Sequence, residues 1–163
     1  MPKKIKDFFP KVILFQPEIA QNVGTIARLC TCFGVPMHVI EPCGFPFSSK
    51  ALKRAMMDYG DVTSVVRHIS FKNYLDKMVV SEKNCRMILL TTKGNECLWD
   101  FQFAKDDHLF FGSEGSGVPH DVAAKADAKL RIPMPGMGRS LNLAVSVGIA
   151  LGEATRQLRK NDG

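Results

Sequence analysis

The stretch RMILLT, Arg86 to Thr91, has four consecutive apolar residues at its centre and no polar residue to alternate with them. HLFFG, His108 to Gly112, repeats the pattern. A strand with one wet face alternates apolar and polar. A continuous apolar run of this length fits a strand buried on both faces, as in a parallel sheet covered by helices. Working outward, Lys11–Gln16 (KVILFQ), Met37–Ile40, Thr63–His68 and Lys129–Ile132 read as further strands. Helical spacing predicts helices over Gln21–Phe33, Ser49–Tyr59, Phe71–Val80, Pro119–Ala126 and Ser140–Arg159. Ser48 or Ser49 is a fitting N-cap, and Pro119 a fitting first residue. Strands alternating with helices predict an α/β fold with a mostly parallel sheet flanked by helices. No repeat, linker or break divides residues 1–163, so we expect a single domain, with residues 1–10 as a basic extension.

Composition narrows the function. With 45% hydrophobic and 23% charged residues, disorder and collagen-like repeats are excluded. No apolar run reaches the roughly 18 residues of a membrane span, and the N-terminus does not read as a secretory signal. These features lead us to expect a cytoplasmic protein. A net charge of +6 suits a polyanionic partner, nucleic acid first. On charge alone, a merely basic protein kept soluble by self-repulsion stands equally well. The basic residues cluster at Lys3, Lys4, Lys6 and Lys11, at Lys50, Lys53 and Arg54, and at Arg156, Arg159 and Lys160. Five cysteines without a C-x-x-C pair point to buried free thiols rather than disulfides or a metal site.

Three turns follow strands. FGSEGSGVP, Phe111 to Pro119, spaces its glycines as G-x-x-G-x-G, which matches neither the dinucleotide fingerprint nor the P-loop. A ligand there would be met by backbone groups, not by a pyrophosphate cradle. LLTTKG, Leu89 to Gly94, is the second turn. The third, RIPMPGMGRSLNLAVSV from Arg131 to Val147, passes from an irregular Pro/Gly loop into an apolar helix. In that helix Ala144, Gly148 and Gly152 recur at i, i+4 and i+8, a stripe that admits close approach of another helix within one chain or between two. Nearly all-round apolarity from Leu141 to Leu151 predicts burial on more than one side. In PEIAQNVGTIARL, Pro17 to Leu29, Asn22 could be an N-cap and Arg28 a surface cation.

Taken in order, Asn22-x-Gly24-x-x-x-Arg28, then Phe111-Gly112-x-Glu114-x-x-Gly117, then Ile132-Pro133-Met134 with Ser140-Leu141-Asn142, resemble the three motifs of the SpoU branch of SPOUT RNA methyltransferases. LKRAMMDYGD (52–61), IEPCGFPF (40–47) and TTKG (91–94) look like its small members, which methylate the ribose 2′-hydroxyl of the tRNA wobble nucleotide. One departure is that Leu143 passes directly to Ala144, where those members often read S-L-N-L-S-N-A-V. The resemblance implies a C-terminal deep trefoil knot that gathers the three turns around S-adenosylmethionine. Cofactor contacts would fall on Leu90, Thr91, Gly112, Ile132, Met134, Ser140 and Leu141. It implies catalytic roles for Arg28, Asn22, Glu114, Ser140 and Asn142, with Glu114 holding Asn22 or Arg28; His120, beside the Gly-rich turn, reads either as a rival base or as a solvated helix-start histidine. A guanidinium stays protonated, so Arg28 would grip a phosphate and stabilise the developing alkoxide. We expect tRNA to be bound through Lys50, Lys53, Arg54, Arg139 and the N-terminal lysines. A homodimer through the last helix and the first is also expected, and no metal. Action on another tRNA position or on rRNA, and a non-catalytic knotted RNA-binding protein, remain the alternatives.

Overall fold

A computed structural model describes residues 10–48, 50–56, 65–81 and 84–160. The lysines of the N-terminal extension, Ser49, residues 57–59 of the expected second helix and 63–64 of the expected third strand lie outside them. The strands are β1 (Lys11–Phe15), β2 (Met37–Ile40), β3 (Val65–His68), β4 (Met87–Leu90), β5 (Glu96–Cys97), β6 (His108–Phe111) and β7 (Ala128–Arg131). The helices are α1 (Ala20–Phe33), α2 (Lys50–Met56), α3 (Phe71–Ser81), α4 (His120–Ala123) and α5 (Leu143–Lys160).

The sheet runs β3-β2-β1-β6-β4-β7-β5, and every pairing in it is parallel. The continuous apolar runs form its middle, where β4 and β6 are buried at every position. Successive side chains supply opposite cores. Val12 and Leu14 join α1, α2 and α5 on one face, while Ile13 and Phe15 join α3 and α4 on the other. Leu14, Phe111, Leu90 and Leu130 lie side by side across four neighbouring strands. The segments that follow them therefore leave the sheet along one edge. This edge is where an open parallel sheet receives ligands.

Several expectations need correction. The edge strand β5 and the 3-10 turn Leu98–Asp100 after it carry no periodic signal and were not foreseen. The last helix begins at Leu143, not Ser140. Pro119 is the N-cap of α4 rather than its first residue, and that helix ends at Ala123. Of the cysteines only Cys30 is fully buried, and Cys32 is exposed. Helix α5 packs against both α1 and β6, so it is buried on more than one side as expected, but its apolar surface is not wholly covered within one chain. Val147, Ala150 and Leu151 are inaccessible, yet Val145 keeps 49% of its surface exposed and Leu141, just before the helix, 38%.

The α3 face holds an unexpected polar cluster. His38, His68 and His108 are buried beside Tyr74. His38 Nδ1 lies 2.8 Å from His68 Nε2, and Tyr74 Oη 2.7 Å from His108 Nδ1. Burial, reinforced by the nearby His68 and Lys11, pushes His38 down to about 3. Burial likewise pushes His108 down to about 4 and lowers His68. Unfolded imidazoles take up a proton near pH 6.5, so below that point the unfolded chain binds more protons than the folded one. Stability is therefore complete above about pH 6.5 and lost as pH falls toward 4 and then 3. At pH 5 the cost is on the order of 2 kcal/mol for each imidazole still neutral in the fold. Urea midpoints measured between pH 7.5 and 4.5 should fall steeply below 6.5. A flat profile would show that these rings are protonated in place.

Candidate active site

The Gly-rich turn after β6 is closed by two reciprocal backbone hydrogen bonds between Ser113 and Gly117, each 2.9 Å. Gly117 sits at φ 64°, which glycine adopts without strain. Gly112 is packed so tightly that a Cβ on it would lie 2.5 Å from the Gly117 carbonyl carbon. After β4, the Thr91 amide donates to the Leu130 carbonyl at 2.8 Å, pinning this turn to β7. After β7, Ile132 and Met134 are half-buried, and the loop from Pro135 to Asn142 is exposed. Since β6, β4 and β7 are neighbours, the three turns that sequence reasoning singled out begin side by side.

One hydrogen-bonded chain crosses the edge. Asn142 Oδ1 accepts from the amides of Ala144 at 2.8 Å and Val145 at 3.3 Å. These are the second and third residues of α5, so Asn142 is its N-cap. Its Nδ2 donates to Asn22 Oδ1 at 3.1 Å. Asn22 Nδ2 donates in turn to Glu114 Oε1 at 3.4 Å. The other carboxylate oxygen, Oε2, accepts from the Glu18 amide at 2.6 Å. One residue from each of three motifs, up to 120 positions apart, thus forms a single relay. Asn22 is the third residue of α1 and not its cap; Ile19 holds that place without a side-chain bond.

Comparison with known proteins identifies the family. Residues 10–152 match the model of the SpoU rRNA Methylase family. The chain belongs to that family. Over 145 residues it is 46% identical to a tRNA (cytidine(34)-2′-O)-methyltransferase of Beijerinckia indica, covering 89% of each chain. A solved structure giving structural insights into the 2-OH methylation of C/U34 on tRNA superposes with a TM-score of 0.88 at 41% identity, over 94% of this chain and 99% of that one. An AdoMet-bound rRNA methyltransferase from Sinorhizobium meliloti superposes with a TM-score of 0.81 at 27% identity, over 94% of this chain and 60% of that one.

Within this SpoU-family chain the structure brings some of the expected site residues together and leaves others apart. Asn22, Glu114 and Asn142 meet directly, and of the two roles foreseen for Glu114 the hydrogen bond to Asn22 is the one observed. Leu90, Thr91 and Gly112 adjoin through the sheet register. Arg28 is exposed on α1, about 9 Å beyond Asn22 along the helix axis. Ser140, Leu141, Arg139 and His120 are exposed, as are Lys50, Lys53 and Arg54 on α2. Arg156 forms a bidentate pair with Glu153 inside α5. The Glu18 amide was missed, since a backbone donor leaves no trace in residue type.

The double duty of Asn142 can be separated experimentally. Serine at an N-cap is about as good as asparagine, so Asn142→Ser keeps α5 capped and deletes the bond to Asn22. The expected result is an unchanged melting midpoint with turnover down roughly tenfold, a loss of the size seen when one oriented hydrogen bond goes. Asn142→Ala should also cost about 1 kcal/mol of stability. Equal turnover for wild type and Asn142→Ser would remove the relay from catalysis.

Proposed function

We propose that this chain transfers a methyl group from S-adenosylmethionine to the ribose 2′-hydroxyl of the wobble nucleotide, cytidine or uridine 34, in the tRNA anticodon loop. The observation that carries the reading is the relay of Asn142, Asn22 and Glu114 at the edge where three cofactor-type turns begin. Two of the relatives named above, the Beijerinckia indica enzyme and the solved structure at 41% identity, are named for that position. The residues present suit the cofactor: Gly112 lies so close to the Gly117 backbone that only glycine fits, and the turn it opens offers backbone groups in place of a phosphate cradle. Leu90, Thr91, Gly112, Ile132, Met134, Ser140 and Leu141 would hold it. When bound, the cofactor supplies a methyl group already activated on sulfonium sulfur.

This chain's own residues then have to orient the acceptor and stabilise its oxygen as the proton leaves. Arg28 remains a cation at any working pH. It would neutralise a neighbouring phosphate and support the developing negative charge on the 2′-oxygen. Asn22, fixed by Glu114 and Asn142, would orient the ribose together with Ser140. His120 is the rival base: a limb of the pH–rate profile that vanishes in His120→Ala would assign the proton transfer to it.

A homodimer is part of the proposal. Among the described residues, a Cβ on Gly152 would meet nothing within 4 Å, and one on Gly148 only the Leu29 side chain at 3.7 Å. The small-residue stripe is thus open in a single chain, and with Val145 it offers a surface for α1 and α5 of a second copy. The trefoil knot, the single catalytic domain over residues 1–163, the cytoplasmic location and RNA contacts by Lys50, Lys53, Arg54 and Arg139 belong to the same reading. No helix among the described residues is long and apolar enough to cross a membrane, and no group of three or more metal-ligating side chains gathers among them.

The test is to incubate the protein with methyl-labelled cofactor and unmodified total tRNA, then digest and map the label. Label on the ribose of nucleotide 34 is expected. Label on another tRNA nucleotide, or on rRNA alone, would move the substrate assignment within the family. No transfer to any RNA would leave an RNA-binding protein.

A further inference from the structure

Gly24 lies on the buried stripe of α1 formed by Ala20, Val23, Gly24 and Ala27. A Cβ at this position would lie 2.3 Å from the Ala55 Cβ and 2.7 Å from the Ala55 carbonyl carbon of α2. Part of that obstacle is backbone, so no rotamer change relieves it and α2 would have to move as a body. The inner side of α2 buries Leu52 and Met56, while Lys50, Lys53 and Arg54 are exposed. On the seven-residue helix Lys53 stands nearly opposite Ala55, so it faces away from α1. Arg28 follows Gly24 by four residues, about 6 Å along the same side of α1. One bare backbone contact therefore sets the separation between the Arg28 guanidinium and a second cationic helix.

We infer that Gly24 is a positioning residue: by letting α2 rest on the α1 backbone, it fixes Lys50, Lys53 and Arg54 relative to Arg28, so that the two helices grip the RNA backbone on both sides of the acceptor nucleotide. The inference rests on the reading of this chain as an RNA methyltransferase. A glycine that merely fills space would affect folding. A positioning glycine also affects how many phosphates the protein neutralises, and that number is read from the salt dependence of binding.

The experiment measures tRNA binding across a series of salt concentrations for wild type, Gly24→Ala, the double variant Lys53→Ala/Arg54→Ala, and Gly24→Ala/Ala55→Gly, which removes the closest of the Cβ contacts. Cofactor binding is followed by calorimetry. Each phosphate contact contributes about 0.7 to the slope of log K against log salt on single strands. For Gly24→Ala and for Lys53→Ala/Arg54→Ala the slope should therefore drop by about 1 to 2, and the tRNA Kd at 0.1 M salt should rise about tenfold. Cofactor affinity should stay within about twofold, and the Gly24→Ala/Ala55→Gly pair, which keeps the 2.7 Å contact with the residue 55 backbone, should return only part of the lost slope. An unchanged slope in either of the first two variants overturns the inference, as does cofactor affinity lost in step with tRNA affinity. If Gly24→Ala does not fold, the pair decides: a folded pair with a reduced slope and cofactor affinity within about twofold supports the inference, and an unfolded pair or a wild-type slope overturns it. Wild-type protein that fails to methylate tRNA would sink the functional reading separately.

Discussion

Replacing Arg28 by alanine is expected to lower turnover about 100- to 1000-fold, the range found when one preorganised donor to a developing oxyanion is deleted. Cofactor affinity should stay within about twofold, because Arg28 projects from α1 while the cofactor turns follow β4, β6 and β7. Arg28→Lys restores the charge and loses the planar fork, so it should recover only part of the rate. Single-turnover methylation at saturating tRNA separates this chemical effect from weakened binding. Loss of cofactor binding in parallel with turnover would show that Arg28 belongs to the cofactor pocket. A wild-type rate would leave His120 as the group to examine.

The second large effect is expected at Gly112. An added Cβ meets the Gly117 carbonyl carbon at 2.5 Å, and the carbonyl oxygen of the same residue at 2.9 Å. The reciprocal Ser113–Gly117 bonds hold that backbone in place, so Gly112→Ala must open the turn. Cofactor affinity should fall about 100-fold, roughly 3 kcal/mol, at the upper end of overpacking costs. Gly115 in the same turn is a fitting control. A Cβ there meets the Glu18 carboxylate oxygens at 3.1 and 3.2 Å. These are the tip of a flexible, exposed side chain that can move aside, so Gly115→Ala should bind nearly as wild type. Equal affinities for the two variants, read by calorimetry with S-adenosylmethionine, would show that the cofactor does not use this turn.

Where the chain's chemistry repeats regularly, it announced its fold. MILL and HLFF carry their double-sided burial in four consecutive apolar residues, and the helical spacing of Val23, Ile26, Ala27 and Cys30 placed α1 to within a residue. Glu96–Cys97 has no period because two residues cannot have one; only pairing with β7 makes it a strand. The start of α5 was read three residues early because Leu141 continues the apolar run. What stops the helix is Asn142, whose side chain satisfies the first free amides and whose own backbone lies outside. His38, His68 and His108 are scattered through three strands, and their burial on one face follows from sheet order, which no local pattern encodes.

The site divides in the same way. Asn22, Glu114 and Asn142 stood out through a family resemblance, but the direction of their hydrogen bonds, and the capping duty of Asn142, required coordinates. Gly24 was legible as a motif letter and silent as to cause. The cause is Ala55, thirty-one positions away on another helix.

The central claim is convergence: three turns distant in sequence receive one methyl donor. Amide hydrogen exchange with and without S-adenosylhomocysteine, the demethylated product, tests it most directly. Slower exchange is predicted together in peptides covering 90–94, 111–117 and 132–142, with 65–81 unaffected. Protection confined to one of the three segments, or centred on the α3 face, would contradict the account.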